Sequence, residues 1–226
     1  MGGGQVEVRW LEIDRIGSAD WRRLESVLDG TERAQAARFR RDEDRRASIA
    51  AHGLTRLVLS EWAPVPPEAW RFAAAAGGKP RIAQPMAGSP LFFNLSHTAR
   101  LVAVAVTSAG EVGLDIEATA DDRLNAAVAD DLFSPAEAEW LAGRPMAERG
   151  EAFAGLWTLK EAIVKALGGG LAQTLAAFTV TLDPPAVSGL SGPWLLRRFR
   201  PMPGHVGALA LRCPDDGRVA VSMGPA

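Results

Sequence analysis

The chain is 226 residues long, with 47% hydrophobic and 23% charged residues, which is the composition of an ordinary globular protein. Its formal net charge of -2 excludes a general attraction to nucleic acid, and its single cysteine excludes both a disulfide framework and a multi-cysteine metal centre. The first residues lack a signal-peptide pattern and no apolar run approaches the ~20 residues that cross a bilayer, so we expect a cytoplasmic protein with neither membrane nor nucleic-acid partners.

The N-terminal part of the chain predicts a strand followed by helices. Apolar and charged residues alternate across residues 6–10, as in a strand with one solvated face. Asp29 and Glu32 have the spacing of a capping box, which predicts the start of a helix, and a second helical stretch follows. The arginines of residues 33–46, including Arg45, are interspersed with acids. They therefore predict a solvated, self-paired surface unless a site lies nearby.

Two polar groups of residues then adjoin predicted strands. Lys79 lies between Gly78 and Pro80, in a turn whose backbone can approach a phosphate, although any exposed loop lysine would have the same pattern. His97 belongs to the polar run 94–98, which separates two apolar strands. A lone histidine is more often structural than catalytic, so both interpretations stay open.

A strand predicted over residues 112–117 carries two acids. Asp115 and Glu117 alternate with apolar residues and therefore share one face of the strand, roughly 7 Å apart along the backbone. If both stayed ionised and unscreened, their repulsion would be on the order of 2 kcal/mol at an effective dielectric near 20. A partly buried pair needs a cation, and an all-oxygen site suits Mg²⁺. An exposed acidic edge strand is the alternative.

Two further helices are predicted after this strand. A serine N-cap, a proline and then Glu137 mark the start of the first helix, which gives Glu137 a capping role. The second helix has an apolar arc over residues 153–167, from which Lys160 projects, while Glu161 and Lys165 share its flank. One interpretation is the wall of a cleft that binds a charged ligand. The other is a surface helix with one snorkelling lysine and one Glu/Lys pair.

The order of the predicted elements repeats along the chain. A strand, helical segments and further strands occupy residues 1–110, and a similar series occupies residues 111–226. We therefore expect an α+β protein in which two similar halves pack side by side, with a ligand-binding cleft between them. The second half would carry the paired carboxylates.

Three sequence blocks resemble the signatures of the 4'-phosphopantetheinyl transferases in their order and spacing. The blocks are Phe93-Asn94-Leu95-Ser96-His97-Thr98, Gly113-Leu114-Asp115-Ile116-Glu117 and Trp157-Thr158-Leu159-Lys160-Glu161, the last followed by Lys165. The similarity covers about residues 30–182. The chain is similar to the large, pseudo-dimeric type of this family, which activates peptide and polyketide synthetases. This resemblance implies two halves related by pseudo-twofold symmetry, with the active site between them.

The resemblance implies an enzyme that moves the phosphopantetheine arm of coenzyme A onto a serine of an apo acyl or peptidyl carrier protein. It implies Mg²⁺ as cofactor and adenosine 3',5'-bisphosphate as the released product. By position, it implies that Asp115, Glu117 and Glu161 bind the metal and that Lys165 contacts the pyrophosphate. The residues implied to contact coenzyme A are Lys79, Ser96, His97, Lys160 and Lys165, with Arg45 one of several arginines that could hold the 3'-phosphate.

The acceptor serine must lose a proton, and we assign this step to Glu161, with Glu137 as the alternative despite its capping role. Two other functions remain open at this point: a catalytically silent homologue that docks carrier proteins, and a Mg²⁺-dependent hydrolase of nucleotides or phosphates. Because carrier proteins of this kind are usually acidic, the arginines of residues 33–46 are a candidate docking surface. We expect a monomer.

Overall fold

The computed structural model describes residues 4–75, 78–85, 90–119, 132–168, 175–213 and 219–226. The strands are β1 (Gln5–Glu12), β2 (Arg71–Ala74), β3 (Pro80–Gln84), β4 (Phe92–His97), β5 (Leu101–Thr107), β6 (Val112–Ala118), β7 (Thr179–Leu182), β8 (Pro185–Ser188), β9 (Trp194–Phe199), β10 (His205–Arg212) and β11 (Ala220–Pro225). The α-helices are α1 (Ser18–Ser26), α2 (Gly30–Ala36), α3 (Asp42–Trp62), α4 (Pro135–Ala142) and α5 (Met146–Leu167), with short 3-10 turns at Ile13–Arg15, Pro67–Ala69 and Leu175–Ala177.

These elements belong to two compact units, each of which combines helices with a sheet. The first unit contains the described parts of residues 1–75, 80–109 and 218–226, and the second contains those of 76–79 and 110–217. The predicted α+β class is therefore confirmed. The pseudo-twofold relation of the halves and the cleft between them stay predictions.

The first unit is built on a four-stranded sheet in the order β11-β1-β5-β4. β5 pairs antiparallel with both β1 and β4, and β2 and β3 form a separate antiparallel hairpin. The apolar stripe of α3, including Leu54 and Val58, packs in one core with Val102, Val104 and Val106 of β5. This stripe follows the helical period, so burial of that face fixes how α3 lies on the sheet.

Two buried arrangements fix the helices of the first unit. Asp29 and Glu32 form the predicted capping box at the start of α2. The fully buried Arg56 of α3 then donates to Asp29 at 2.9 Å and to Glu32 at 2.8 Å, so the same two carboxylates connect α2 to α3. A buried guanidinium is stable only when carboxylates and carbonyls accept its N–H groups, as they do here.

The second unit is built on a three-stranded antiparallel sheet in the order β6-β10-β9, with β7 and β8 forming a separate hairpin. α5 lies on this sheet, where its apolar arc, including Phe153, Leu156 and Ile163, shares a core with Ala208 and Ala210 of β10. The capping box predicted for α4 is present. α5 ends at Gly168, which has a left-handed φ of 73°.

The last strand lies in a different place from the one expected. The sequence assigned the C-terminal residues to the half that begins at residue 111, whereas β11 pairs in parallel with β1 of the first unit. Pairing between strands that are far apart in sequence leaves no local pattern, so only the existence of this strand was predictable from its composition.

Candidate active site

The first component of the site is the acidic face of β6. Asp115 is buried, with 4% of its surface exposed, and Glu117 lies two residues further along the same face. Gly113 precedes them on that face. A Cβ at position 113 would lie only 1.8 Å from the carbonyl oxygen of Ala162, so the absence of a side chain lets α5 approach β6 backbone to backbone.

The second component comes from α5, on the turn that faces β6. Lys165 Nζ lies 2.6 Å from Asp115 Oδ1 and donates to the carbonyl of Leu114 at 3.3 Å. Glu161, one turn earlier, is 4% exposed. Its Oε1 atom is buried and has no hydrogen-bond partner among the described residues. The site therefore contains a buried carboxylate oxygen that is available to a ligand.

Burial, and after it the negative charge of Asp115, raise the pKa of Glu161 to about 7, although the ammonium of Lys165 acts in the opposite direction. A carboxylate with this pKa exchanges a proton near neutral pH. Asp115 and Glu161 therefore interact electrostatically, although the strand and the helix that carry them are far apart in the chain.

The fit of these residues to Mg²⁺ can be tested on their geometry and chemistry. Among the described residues, no group of three or more His, Cys, Asp or Glu side chains has the spacing of a formed metal site. Glu117 instead accepts a hydrogen bond of 3.3 Å from the indole N–H of Trp157. Even so, buried carboxylate oxygens, the unpartnered Oε1 of Glu161 and the raised pKa of Glu161 suit a hard cation that prefers oxygen ligands. Asp115 and Glu161 would hold such a cation, with Glu117 beside them.

Lys160 occupies a position that differs from the predicted contact with pyrophosphate. Its side chain is fully buried, and its ammonium donates to both carboxylate oxygens of Glu137, at 2.7 and 2.6 Å, and to the carbonyl of Phe178 at 2.7 Å. All three protons of the ammonium are thus used inside the unit. The sequence left open whether Lys160 meets an anion or snorkels to solvent; in the structure it meets an anion, the carboxylate of Glu137.

The carboxylate of Glu137 is surrounded by hydrogen-bond donors. Besides Lys160, its two oxygens accept hydrogen bonds from the backbone N–H of Ser134 at 2.8 Å and of Val180 at 2.6 Å. A carboxylate with this many donors is held in one orientation, and both of its oxygens are used by the protein. These contacts favour Glu161 over Glu137 as the proton acceptor.

Four other residues are predicted to contact coenzyme A. Lys79, in the second unit, donates to Glu111 at 2.8 Å and to the carbonyl of Val112 at 2.9 Å, next to the start of β6. Ser96 and His97 lie on β4 of the first unit, Ser96 buried and His97 exposed. Arg45 lies on α3, exposed and paired with Asp42. The roles of these four residues stay predictions.

Two residues of the site were quoted in the sequence blocks but given no role there. Gly113 sets the distance between β6 and α5, and Trp157 holds Glu117. A glycine inside an apolar strand is a recognisable signal of close backbone approach. The indole contact of Trp157 has no comparable signal, since a tryptophan on an apolar helix face is usually core.

A buried acidic pair with a lysine between strand and helix suits an enzyme that handles phosphate groups. Within the described residues, no helix combines the length with the hydrophobicity that a membrane crossing requires. Comparison with protein families gives two adjoining matches. Residues 111–203 match the family described as the 4'-phosphopantetheinyl transferase superfamily, and residues 16–109 match 4'-phosphopantetheinyl transferase, N-terminal.

Curated relatives agree with both matches. The chain is 33% identical to the 4'-phosphopantetheinyl transferase HetI of a Nostoc species, over 83% of this chain and 80% of that protein. It is 37% identical to the transferase psf-1 of Bacillus pumilus over 71% and 66% of the two chains, and 29% identical to the transferase Sfp of Bacillus subtilis over 93% and 94%. The chain belongs to the 4'-phosphopantetheinyl transferase superfamily, and the resemblance found in its sequence is confirmed.

Proposed function

We propose that this chain transfers the 4'-phosphopantetheine arm of coenzyme A to a serine of an apo acyl or peptidyl carrier protein, in a Mg²⁺-dependent reaction that releases adenosine 3',5'-bisphosphate. Membership of the transferase superfamily supports the reaction class. The single observation that carries the assignment of residues is the association of Asp115, Glu161 and Lys165 across β6 and α5.

In this reaction the serine hydroxyl oxygen attacks the β-phosphorus of coenzyme A. A new P–O bond forms, the bond to the bridging oxygen of the α-phosphate breaks, and adenosine 3',5'-bisphosphate leaves with that oxygen. Glu161 accepts the serine proton as the proposed general base. Lys165 donates to the pyrophosphate, where negative charge accumulates as the bond breaks.

Asp115 and Glu161, with Glu117 beside them, are the residues proposed to hold Mg²⁺, which when bound supplies neutralising charge for the pyrophosphate oxygens. Lys165 pairs with Asp115 in the structure, and its flexible stem lets the ammonium turn toward a phosphate that arrives next to this carboxylate. Lys79, Ser96 and His97 are proposed to contact the nucleotide phosphates.

The test is an incubation of the protein with coenzyme A, Mg²⁺ and a panel of apo carrier proteins, read by intact-protein mass spectrometry. A carrier heavier by one phosphopantetheine arm supports transfer and identifies the carrier. An unmodified carrier that nevertheless binds tightly would support a silent docking homologue instead. Degraded coenzyme A with unmodified carrier would support a hydrolase. Omitting Mg²⁺ from the same incubation tests the cofactor.

A further inference from the structure

The ion pair between Lys160 and Glu137 has no role in the chemistry proposed above, although it lies deep in the second unit. Both side chains are at least 98% buried. Burial lowers the pKa of Lys160, and Glu137 acts in the opposite direction through its hydrogen bond and its charge. The ammonium also lies 4.5 Å from the centroid of the Phe178 ring. The pair is therefore enclosed by protein on every side that the structure describes.

Through this pair one carboxylate joins three elements of the unit. Glu137 is the third residue of α4 and completes its capping box through the N–H of Ser134. Its Oε1 atom accepts from the N–H of Val180 in β7, and both oxygens accept from Lys160 in α5. Any rotation or sliding of α5 would break several of these bonds at once.

The next residue of α5 is Glu161. Consecutive residues on an α-helix point about 100° apart, so a helix whose Lys160 is fixed toward α4 and β7 has its Glu161 fixed in a second direction. That direction brings the Glu161 carboxylate within electrostatic range of Asp115 on β6. On the β6 side, Lys165 and Trp157 bond to Asp115 and Glu117 through partly buried contacts, so the fully buried contact of Lys160 adds a second anchor on the other side of the helix.

We propose that Lys160 is a positioning residue: its closed contact with Glu137 and Phe178 fixes the rotation of α5 and so holds Glu161 against Asp115. The inference rests on the proposed function for the role of Glu161. Lys160 then acts on the reaction through the position of Glu161 and not through the predicted contact with the pyrophosphate. The attraction within a buried ion pair offsets the cost of desolvation only when the geometry is good, so this pair tolerates little displacement of α5.

The decisive variant is the double substitution Glu137→Gln and Lys160→Met. It removes both charges together, so no isolated buried charge remains, and glutamine retains the capping box with its carbonyl oxygen. The matched control is Thr158→Val, on the same buried helix. Among the described residues, the hydroxyl of Thr158 bonds only to the carbonyls of Ala154 and Gly155 in its own helix, so this variant costs stability without loosening α5 from α4.

Two properties are measured on each variant. One is the affinity for Mg²⁺ in the presence of coenzyme A, by titration calorimetry. The other is the rate of amide hydrogen exchange over residues 160–166 in the metal-free protein. We expect the double variant to bind Mg²⁺ at least tenfold more weakly, the size of effect that residues supporting metal ligands produce, and to exchange these amides faster than the Thr158→Val protein does. Wild-type affinity in the double variant would overturn the inference.

A second variant covers the case in which the double substitution does not fold. Glu137→Asp keeps both charges but withdraws the carboxylate by one methylene, so α5 must shift to keep the pair. Weaker Mg²⁺ binding is expected here too, and unchanged binding would contradict positioning. If the wild-type protein binds neither Mg²⁺ nor coenzyme A, the proposed function has failed. The exchange rates of residues 160–166 then still decide the inference, since equal rates in the double variant and the control would reject it.

Discussion

Lys165 and Asp115 form an ion pair of 2.6 Å between α5 and β6, and the same ammonium contacts the carbonyl of Leu114. The pair places a cation beside two carboxylates that would otherwise repel each other. The positive charge of Lys165 holds the pKa of Glu161 below the value that burial and Asp115 alone would give. Lys165 therefore controls both the charge of the site and the protonation of the proposed base.

Lys165→Met should reduce carrier modification by roughly 10² to 10³-fold, the loss typical when one group that stabilises transition-state charge is removed. Lys165→Arg, which retains the charge but changes its geometry, should lose less. The measurement is kcat/KM for an apo carrier at saturating Mg²⁺. If the methionine variant matched wild type, Lys165 would have no part in catalysis.

Glu161→Gln should stabilise the metal-free protein at neutral and higher pH. Because folding raises the pKa of Glu161 from 4.5 to about 7, the folded state holds a proton that the unfolded state releases. The wild-type protein therefore loses stability as the pH rises from about 4.5 through 7, and the loss is complete above that range. Glutamine does not titrate, so the free energy of unfolding of the Glu161→Gln protein should rise relative to that of the wild-type protein across the same pH interval.

This pH dependence is measured by urea unfolding of both proteins between pH 4 and pH 8.5 without metal. The control is Glu139→Gln, an exposed acid on α4, which should show no comparable trend. Adding Mg²⁺ and coenzyme A should stabilise the wild-type protein more than the Glu161→Gln protein. A constant difference between the two proteins at all pH values would mean that Glu161 is not buried next to Asp115.

Part of this site was predictable from sequence and part was not. Alternation along β6 placed Asp115 and Glu117 on one face, and the helical period placed Glu161 and Lys165 together, because these patterns are local. The sequence also placed Lys160 in an apolar arc, where its ammonium must either meet an anion or snorkel to solvent. Whether that anion was a ligand or Glu137, 23 residues away, depends on tertiary packing, which leaves no periodic signal.

The same reasoning applies to the fold. The α+β class, the capping boxes and the helical stripe of α3 follow from local spacing. The parallel pairing of β11 with β1 does not, since the two strands lie at opposite ends of the chain.

Gly113→Ala should destabilise the second unit and reduce activity together. The added Cβ would lie 1.8 Å from the carbonyl oxygen of Ala162 and 2.6 Å from the amide nitrogen of Ala166, both of which are backbone atoms. Backbone atoms cannot move aside as a side chain can, so β6 and α5 must separate. The expected loss of stability is at or above the ~1–3 kcal/mol typical of overpacking. Gly30→Ala is the matched control, because no atom lies within 4 Å of its added Cβ. Denaturant unfolding and transfer rate are measured for both, and a Gly113→Ala protein with wild-type behaviour would show that the close approach is unimportant.

The segment between α2 and α3 presents exposed arginines to solvent. Arg38 and Arg40 are exposed on either side of Phe39, an apolar side chain that is 39% exposed. By contrast, Arg33 donates to the carbonyls of Glu25 and Ser26. Exposed cations next to an exposed ring suit an acidic partner protein, whose attraction should weaken as salt screens the charges.

The double variant Arg38→Ala and Arg40→Ala should therefore raise KM for an acidic apo carrier about tenfold and leave kcat unchanged, since rim charges act mainly on association. Its KM should also depend less on NaCl concentration than that of the wild-type protein. Arg22→Ala with Arg23→Ala, exposed on α1, removes the same charge from another surface and serves as the control. KM is measured from 50 to 500 mM NaCl. Equal salt dependence of KM in all three proteins would exclude this segment as the docking surface. Removing a cation that contacts the carrier must reduce the effect of salt on KM.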